Sequence, residues 1–517
     1  MPMVDNFFKT HNNVTLLFDQ AQFMPLLARW YAKNPKRDRA TWAAILVVIA
    51  LGSRLLAPGA VASRDLEDHA ELESYCMRNA QSVMSEFTTR DEDLLGMQVL
   101  LGLAILFYDC SDTMPASILS GTAMKLAHRL QLNSHSSAQF FTAEEVQQRS
   151  RLFWNAYILD KDLSLRAKAP SVQCDADIDI PMPPIVLSDG AGIITSKDGH
   201  SHLNLFRLRV DLAHIEGKIY DLLYSCRSIK APKLERQRHV ISLQAMLDHW
   251  YARIPPAFKI EKASATVSND KIPEITKLYH TYLLCIVTTH GVYSNQADWM
   301  RRVSSLSRVA IQDFATAVQG PRVYFTCMNQ DPPLVGGWSH CVEISRASMK
   351  LFQNTKSTSG LIWQCSCVHF SALIVILANI LISPRHESVS LDLQTATTSV
   401  RLFEQFLDVV QSTKYEPLQR IIMDLYKSAT SVVDKARLGG PNQANDLNAS
   451  LRGLPEGDLD VFLERTAFPE FQWSEDGLGG LEFDTVFNPS VGVGEESSLS
   501  SIEFEVRPEA LGSLGGA

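Results

Sequence analysis

The chain has 517 residues, with 48 basic and 57 acidic side chains and a formal net charge of −9. Its 46% apolar content excludes a mainly disordered protein, and the charge balance excludes nucleic-acid binding by charge alone.

Asp5 and Lys9 precede no long apolar stretch, so no secretory signal is read at the N-terminus. Lys33-Asn-Pro-Lys-Arg-Asp-Arg39 reads equally as a nuclear import signal or a solvated basic turn. The run Trp42–Leu51 is apolar but shorter than the ~20 residues that span a bilayer, so it is expected to be a core helix. Leu66, Ala70, Met77, Ala80, Met84 and Phe87 follow the three- and four-residue spacing of one buried helical stripe. Thr89–Glu92 and Thr142–Glu145 have the pattern of capping boxes, each placed before a helical run. Leu94–Tyr108 is apolar all round and should lie inside a bundle. Leu205, Leu208, Leu212, Ile215, Ile219 and Leu222 mark a further stripe, as do Val400, Phe403, Leu407 and Val410. Ala372–Ile382 is another apolar core run. Breaks are expected at 181–201, 263–271 and 320–337, and after Leu438. No convincing alternating strand pattern is present. The fold class is therefore all-α: a large irregular helical domain over residues 1–436, in one domain or two fused lobes, followed by a disordered acidic tail over 437–517.

From Leu454 onward 14 acids face two bases, a net of −12, which leaves residues 1–453 at +3. Set among those acids are Phe462, Phe468, Phe471, Trp473, Phe483, Phe487 and Phe504. Repulsion between acids keeps aromatics solvated and available to a partner's groove, the logic of an activation segment. An acidic solubilising tail would not need such aromatics.

The catalytic inventory is thin. There is no Gly-x-Ser-x-Gly elbow, phosphate-cradling loop or His-Glu-x-x-His, and no catalytic or cofactor-binding residue is assigned. Asp91-Glu-Asp93 reads as the acidic first turn of a helix. The nine cysteines are odd in number and widely spaced, which argues against a disulfide framework and for a reducing compartment. His340, Cys341, Cys365, Cys367 and His369 could ligate zinc by type, but their place beside an apolar run favours core packing, so no metal site is assigned.

One segment is far more specific. It runs from Gly121 to Asn133, through Arg149-Ser-Arg-Leu-Phe-Trp-Asn-Ala-Tyr-Ile-Leu-Asp-Lys-Asp-Leu-Ser164, to Pro170 and Asp175-Ala-Asp-Ile-Asp-Ile-Pro-Met-Pro183. It resembles the central regulatory region of fungal-specific transcription factors, the regulators that usually carry a two-zinc, six-cysteine DNA-binding cluster. Arg149, Arg151, Trp154, Tyr157, Asp160, Ser164, Pro170, Asp175, Asp177, Asp179, Pro181 and Pro183 match the family pattern. Two family glycines are replaced, by Gln131 and by Lys168. No cysteine precedes Cys76 and no Cys-x-x-Cys occurs, so the cluster is not within this sequence.

The resemblance implies a nuclear transcriptional regulator, pathway-specific and of the kind that controls secondary-metabolite gene clusters. Such a protein would act through a dimer partner that binds DNA, a co-activator or the transcription machinery at its tail, and a small-molecule effector; no membrane is implied. Two alternatives stand beside it: a longer zinc-cluster activator whose upstream exon is missing here, and an inhibitory or ligand-sensing partner of one. Arg151, Trp154, Tyr157, Asp160, Asp175, Asp177 and Asp179 are the structural or ligand-sensing candidates. Charges set beside large apolar surfaces are costly unless paired. A buried network clamping the helix to an extended 175–183 loop is therefore favoured over the polar wall of an inducer pocket.

Overall fold

The computed structural model describes residues 2–32, 38–54, 63–89, 94–110, 114–185, 190–292, 337–356, 358–410 and 415–438, together with Trp299 and Val303. The tail candidates Phe462, Phe468, Phe471, Trp473, Phe483 and Phe487, the basic segment 33–37 and Asp91–Asp93 lie outside the described residues.

The described chain is all-α. Its first half runs through α1 (Gln20–Tyr31), α2 (Arg39–Arg54), α3 (Ser63–Gln81), α4 (Met84–Thr89), α5 (Leu94–Tyr108), α6 (Met114–Arg129) and α7 (Ala143–Ala167). A hairpin of β1 (Ile193–Thr195) and β2 (His202–Asn204) follows, with Ile194 opposite Leu203. Then come α8 (Leu205–Ile219), α9 (Lys233–Ala252), α10 (Ile272–Thr289), α11 (Trp338–Gln353), α12 (Ser359–Ile382), α13 (Val389–Val410) and α14 (Glu416–Leu438). The hairpin corrects the reading of 181–201 as plain loop. Both of its central residues, Ile194 and Leu203, are buried. A pair of three-residue strands is too short for an alternating pattern to be legible.

Local chemistry sets the helix ends. Thr142 accepts a hydrogen bond from the Glu145 backbone N–H, while the Glu145 carboxylate accepts from the Thr142 N–H, a complete capping box. The stripe expected to run unbroken to Phe87 is divided between α3 and α4. The Ser82 hydroxyl donates to the Asn79 carbonyl at the junction, a side-chain bond that competes with the helical ladder.

Packing makes two large cores. One gathers the apolar faces of α1, α2 and α5–α7 with the N-terminal turns. The other gathers α8–α14. Helix α8 belongs to both: Leu205, Leu208, Leu212, Ile215 and Ile219 face the second, and Phe206, Val210 and Ala213 the first. α5 is buried all round, and a Cβ on its Gly102 would come within 2.2 Å of Val47 on α2. α12 is long and apolar enough to cross a membrane, yet it is largely buried within the second core, where Ala372–Ala378 are fully covered.

Candidate functional site

The family-like segment folds as one unit. α7 is mostly buried, and the chain reverses after it at Lys168, whose φ of +49° is left-handed. Residues 171–183 then run back along the helix. Asp160, only 4% exposed, accepts hydrogen bonds from the backbone N–H groups of Val172 (3.0 Å) and Gln173 (2.9 Å). Burial raises its carboxyl pKa, and the two backbone bonds oppose that rise. One residue on, the Lys161 ammonium donates to Ser171 Oγ (2.8 Å) and the Gln173 carbonyl (2.7 Å) and pairs with Asp175 (3.1 Å).

Asp175 is the hub. Its Oδ1 accepts from the Tyr157 hydroxyl at 2.9 Å, and its Oδ2 lies 3.2 Å from His214 Nδ1 and 3.3 Å from Lys218 Nζ on α8. Burial works to raise this carboxyl, but the His214 hydrogen bond and the Lys161 charge outweigh it and hold the group below the usual carboxylate range. Tyr157 is pushed up by burial and by the Asp175 charge, so its phenol remains a donor. One carboxylate thus ties three pieces of backbone together: α7, the returning loop and α8.

The other candidates divide. Trp154 is buried and packs edge-on against Phe153 and Tyr157, with ring centroids 5.1 and 5.3 Å away. Arg151 is half-buried on the wall of an apolar groove of about 260 Å³ that includes Ile180, Pro181 and Pro183. Arg149 donates to the Leu130 carbonyl and stacks over the Phe141 ring. The side chains of Asp177 and Asp179 are exposed. They serve through their backbones instead: the Asp177 carbonyl accepts from the Asn133 amide, and the Asp179 N–H donates to the Asn133 carbonyl. The loop is therefore not extended throughout, as expected from its sequence. A single 3-10 turn at Asp175–Asp177 breaks the alternation and turns only Asp175 inward.

Lys161, Gln173, His214 and Lys218 complete the network and were not singled out in the sequence. Lys161 shared a segment with the matched residues, but His214 and Lys218 become neighbours of Asp175 only when α8 packs on α7. Both glycine replacements now have a structural meaning: Gln131 (φ +53°) and Lys168 stand in left-handed conformations that glycine adopts without steric cost.

The cysteines and histidines near α12 are packing residues in this fold. Cys341 and Cys365 are buried, and His369 bonds Ser399 Oγ at 3.0 Å. Among the described residues no group of three or more His, Cys, Asp and Glu side chains is placed to hold a metal ion.

The most specific sequence of this all-helical body is spent on a helix–loop–helix tie. The comparisons agree with the sequence. Residues 4–252 match the fungal specific transcription factor domain. An ABC-transporter-regulating transcription factor of Aspergillus oryzae is 28% identical over 86% of this chain and 49% of its own length. A counterpart in Aspergillus fumigatus is 29% identical over 84% of this chain and 47% of its own. The Fusaridione A cluster transcription factor of Fusarium heterosporum is 24% identical over 83% and 76%, respectively. The chain thus spans about half the length of the two Aspergillus relatives. No solved structure matches it.

Proposed function

We propose that this chain is the regulatory portion of a nuclear, pathway-specific transcriptional regulator. The helical body serves as regulatory and dimerisation platform, and the acidic–aromatic residues 437–517 recruit the transcription machinery or a co-activator. Promoter contact is made through a zinc-cluster module, on the same protein or on a partner. The observation that carries this reading is the domain match over residues 4–252, extended by relatives named as transcription factors that align over more than four-fifths of the chain. Those names concern transporter regulation in one case and a secondary-metabolite cluster in another, which supports control of a small-molecule pathway.

Fusing the whole chain to a foreign DNA-binding domain and measuring a reporter tests the proposal. Activation is expected to rise at least tenfold over the DNA-binding domain alone and to be lost on deletion of 437–517. A silent fusion, or a deletion that activates as well as the whole chain, would refute the activation role and favour an inhibitory partner.

A further inference from the structure

Helix α9 is apolar on two sides. Leu243, Leu247 and Trp250 are buried in the second core, and Trp250 Nε1 anchors the helix by donating to the Leu208 carbonyl at 3.0 Å. Leu234, Ile241 and Ala245 fall at seven- and four-residue spacing on the other side, which is open to solvent. Leu234 is 61% and Ile241 69% exposed. Single exposed apolar residues are ordinary; a stripe along about 16 Å of one helix face is the pattern of a contact surface.

Charge frames this stripe. Arg227, Lys230, Lys233, Arg236 and Arg238 are all exposed, and among the described residues none of them forms an ion pair or a side-chain hydrogen bond. Arg238 falls within the stripe, between Leu234 and Ile241. Residues 226–247 hold these five bases and one acid, Glu235, a net of +4. Residues 1–453 total +3, so the excess base of the helical body is gathered here.

Such a face selects an occupant that carries acids and bulky apolar side chains together. A second copy of α9 would set base against base, and a phosphate backbone has no apolar groups to cover Leu234 and Ile241. The acidic region of this chain offers both. Asp458-Leu-Asp-Val-Phe-Leu-Glu464 holds three acids, four apolar residues and no base. Leu459, Phe462 and Leu463 recur at three- and four-residue spacing, flanked by the acids. Reach is sufficient: the 19 residues between Leu438, at the end of α14, and Asp458 can extend to about 65 Å, against roughly 45 Å for the breadth of a lobe of about 230 residues.

We propose that the open face of α9 is the docking surface for Asp458–Glu464 of the same chain. Leu459, Phe462 and Leu463 cover the Leu234–Ile241 stripe, and the acids face Arg236 and Arg238. Exposed charge pairs are individually weak, so the contact needs several of them and is sensitive to salt. It concerns docking within the chain, so it stands whether or not residues 437–517 recruit a co-activator.

The test is photo-crosslinking in the full chain, with benzoylphenylalanine placed at Gln237, which is exposed beside the stripe. Mass spectrometry is expected to find the link within one chain, on a peptide containing 458–464. The same probe at Lys125, exposed on α6, should give no such link. The yield should fall at least threefold between about 0.05 and 0.5 M sodium chloride. Arg236→Glu with Arg238→Glu should lower it at least fivefold; thermal unfolding checks that the variant folds. Adding Asp458→Arg and Asp460→Arg to that variant should restore at least half of the yield, which a merely structural role for the arginines would not do. No link to 454–473, or a yield unmoved by the charge reversal, would overturn the proposal. A link only between two chains would overturn it in favour of a surface between copies. A link to added random-sequence duplex DNA in place of 458–464 would overturn it in favour of a nucleic-acid surface.

Discussion

Asp160 and Asp162 stand two residues apart on α7 and point about 200° apart around it, so they serve opposite sides of one helix. On the Asp160 side two backbone N–H groups hydrogen-bond Asp160, and a phenol, two ammonium groups and an imidazole surround Asp175, whose Oδ2 is held by neighbouring charge and not by a well-aligned hydrogen bond. On the Asp162 side Asp162 pairs with Arg166 and Glu274 with Lys277, while Glu216 is buried beside the Asp162 carboxylate with no well-aligned hydrogen bond to its Oε1 among the described residues. A polar cluster that is satisfied holds backbone together. One that buries a carboxyl beside another carboxylate raises that carboxyl's pKa. The contrast separates polar groups that tie backbone together from one that costs stability in its charged form.

Asp160→Ala should break the first side most severely. It strands the Val172 and Gln173 donors and frees the returning loop, at a cost of about 2–4 kcal/mol in denaturant unfolding. Unchanged stability with an altered ligand response would mean that Asp160 belongs to a sensing pocket instead of a clamp.

A pH series probes the second side. The raised Glu216 pKa means that the folded state holds this proton to a higher pH than the unfolded one. Stability from this group is therefore full below its unfolded value of about 4.3 and declines as pH rises toward the folded one. Glu216→Gln should remove that decline, so the variant gains on the wild type as pH rises above about 4.3 and the gap closes below it. Parallel stability curves for the two proteins would show that Glu216 is charged in the folded state.

The smallest effect tests the junction before α7. Gln131 is exposed and left-handed, so Gln131→Gly should stabilise by about 0.5–1 kcal/mol, strain relief exceeding the entropy added to the unfolded chain. A loss in thermal unfolding would show that the side chain makes a contact worth more than the strain.

Much of the fold was legible because its signals are local. The capping box at Thr142, the stripe on α8 and the all-round apolarity of α5 each depend on residues within a few turns, where spacing alone reports which face is buried. The motif residues were legible too, though not their division of labour. Asp175, Asp177 and Asp179 look equivalent as a string, and a single 3-10 turn makes one a half-buried hub and leaves the other two side chains in solvent.

The sequence by itself determined the helical class, the capping of α7 and two of the residues that bind the returning loop, Tyr157 and Asp160, since periodicity and side-chain chemistry are written residue by residue. Tertiary structure alone decided which charges meet. His214 and Lys218 reach Asp175, and Arg209 and Glu216 come to share a cavity with Asp162, only because α8 lays one face on each core and its polar groups converge on α7 from a distant part of the chain. Pairing and desolvation depend on distances of a few ångströms, and no pattern along the chain records them.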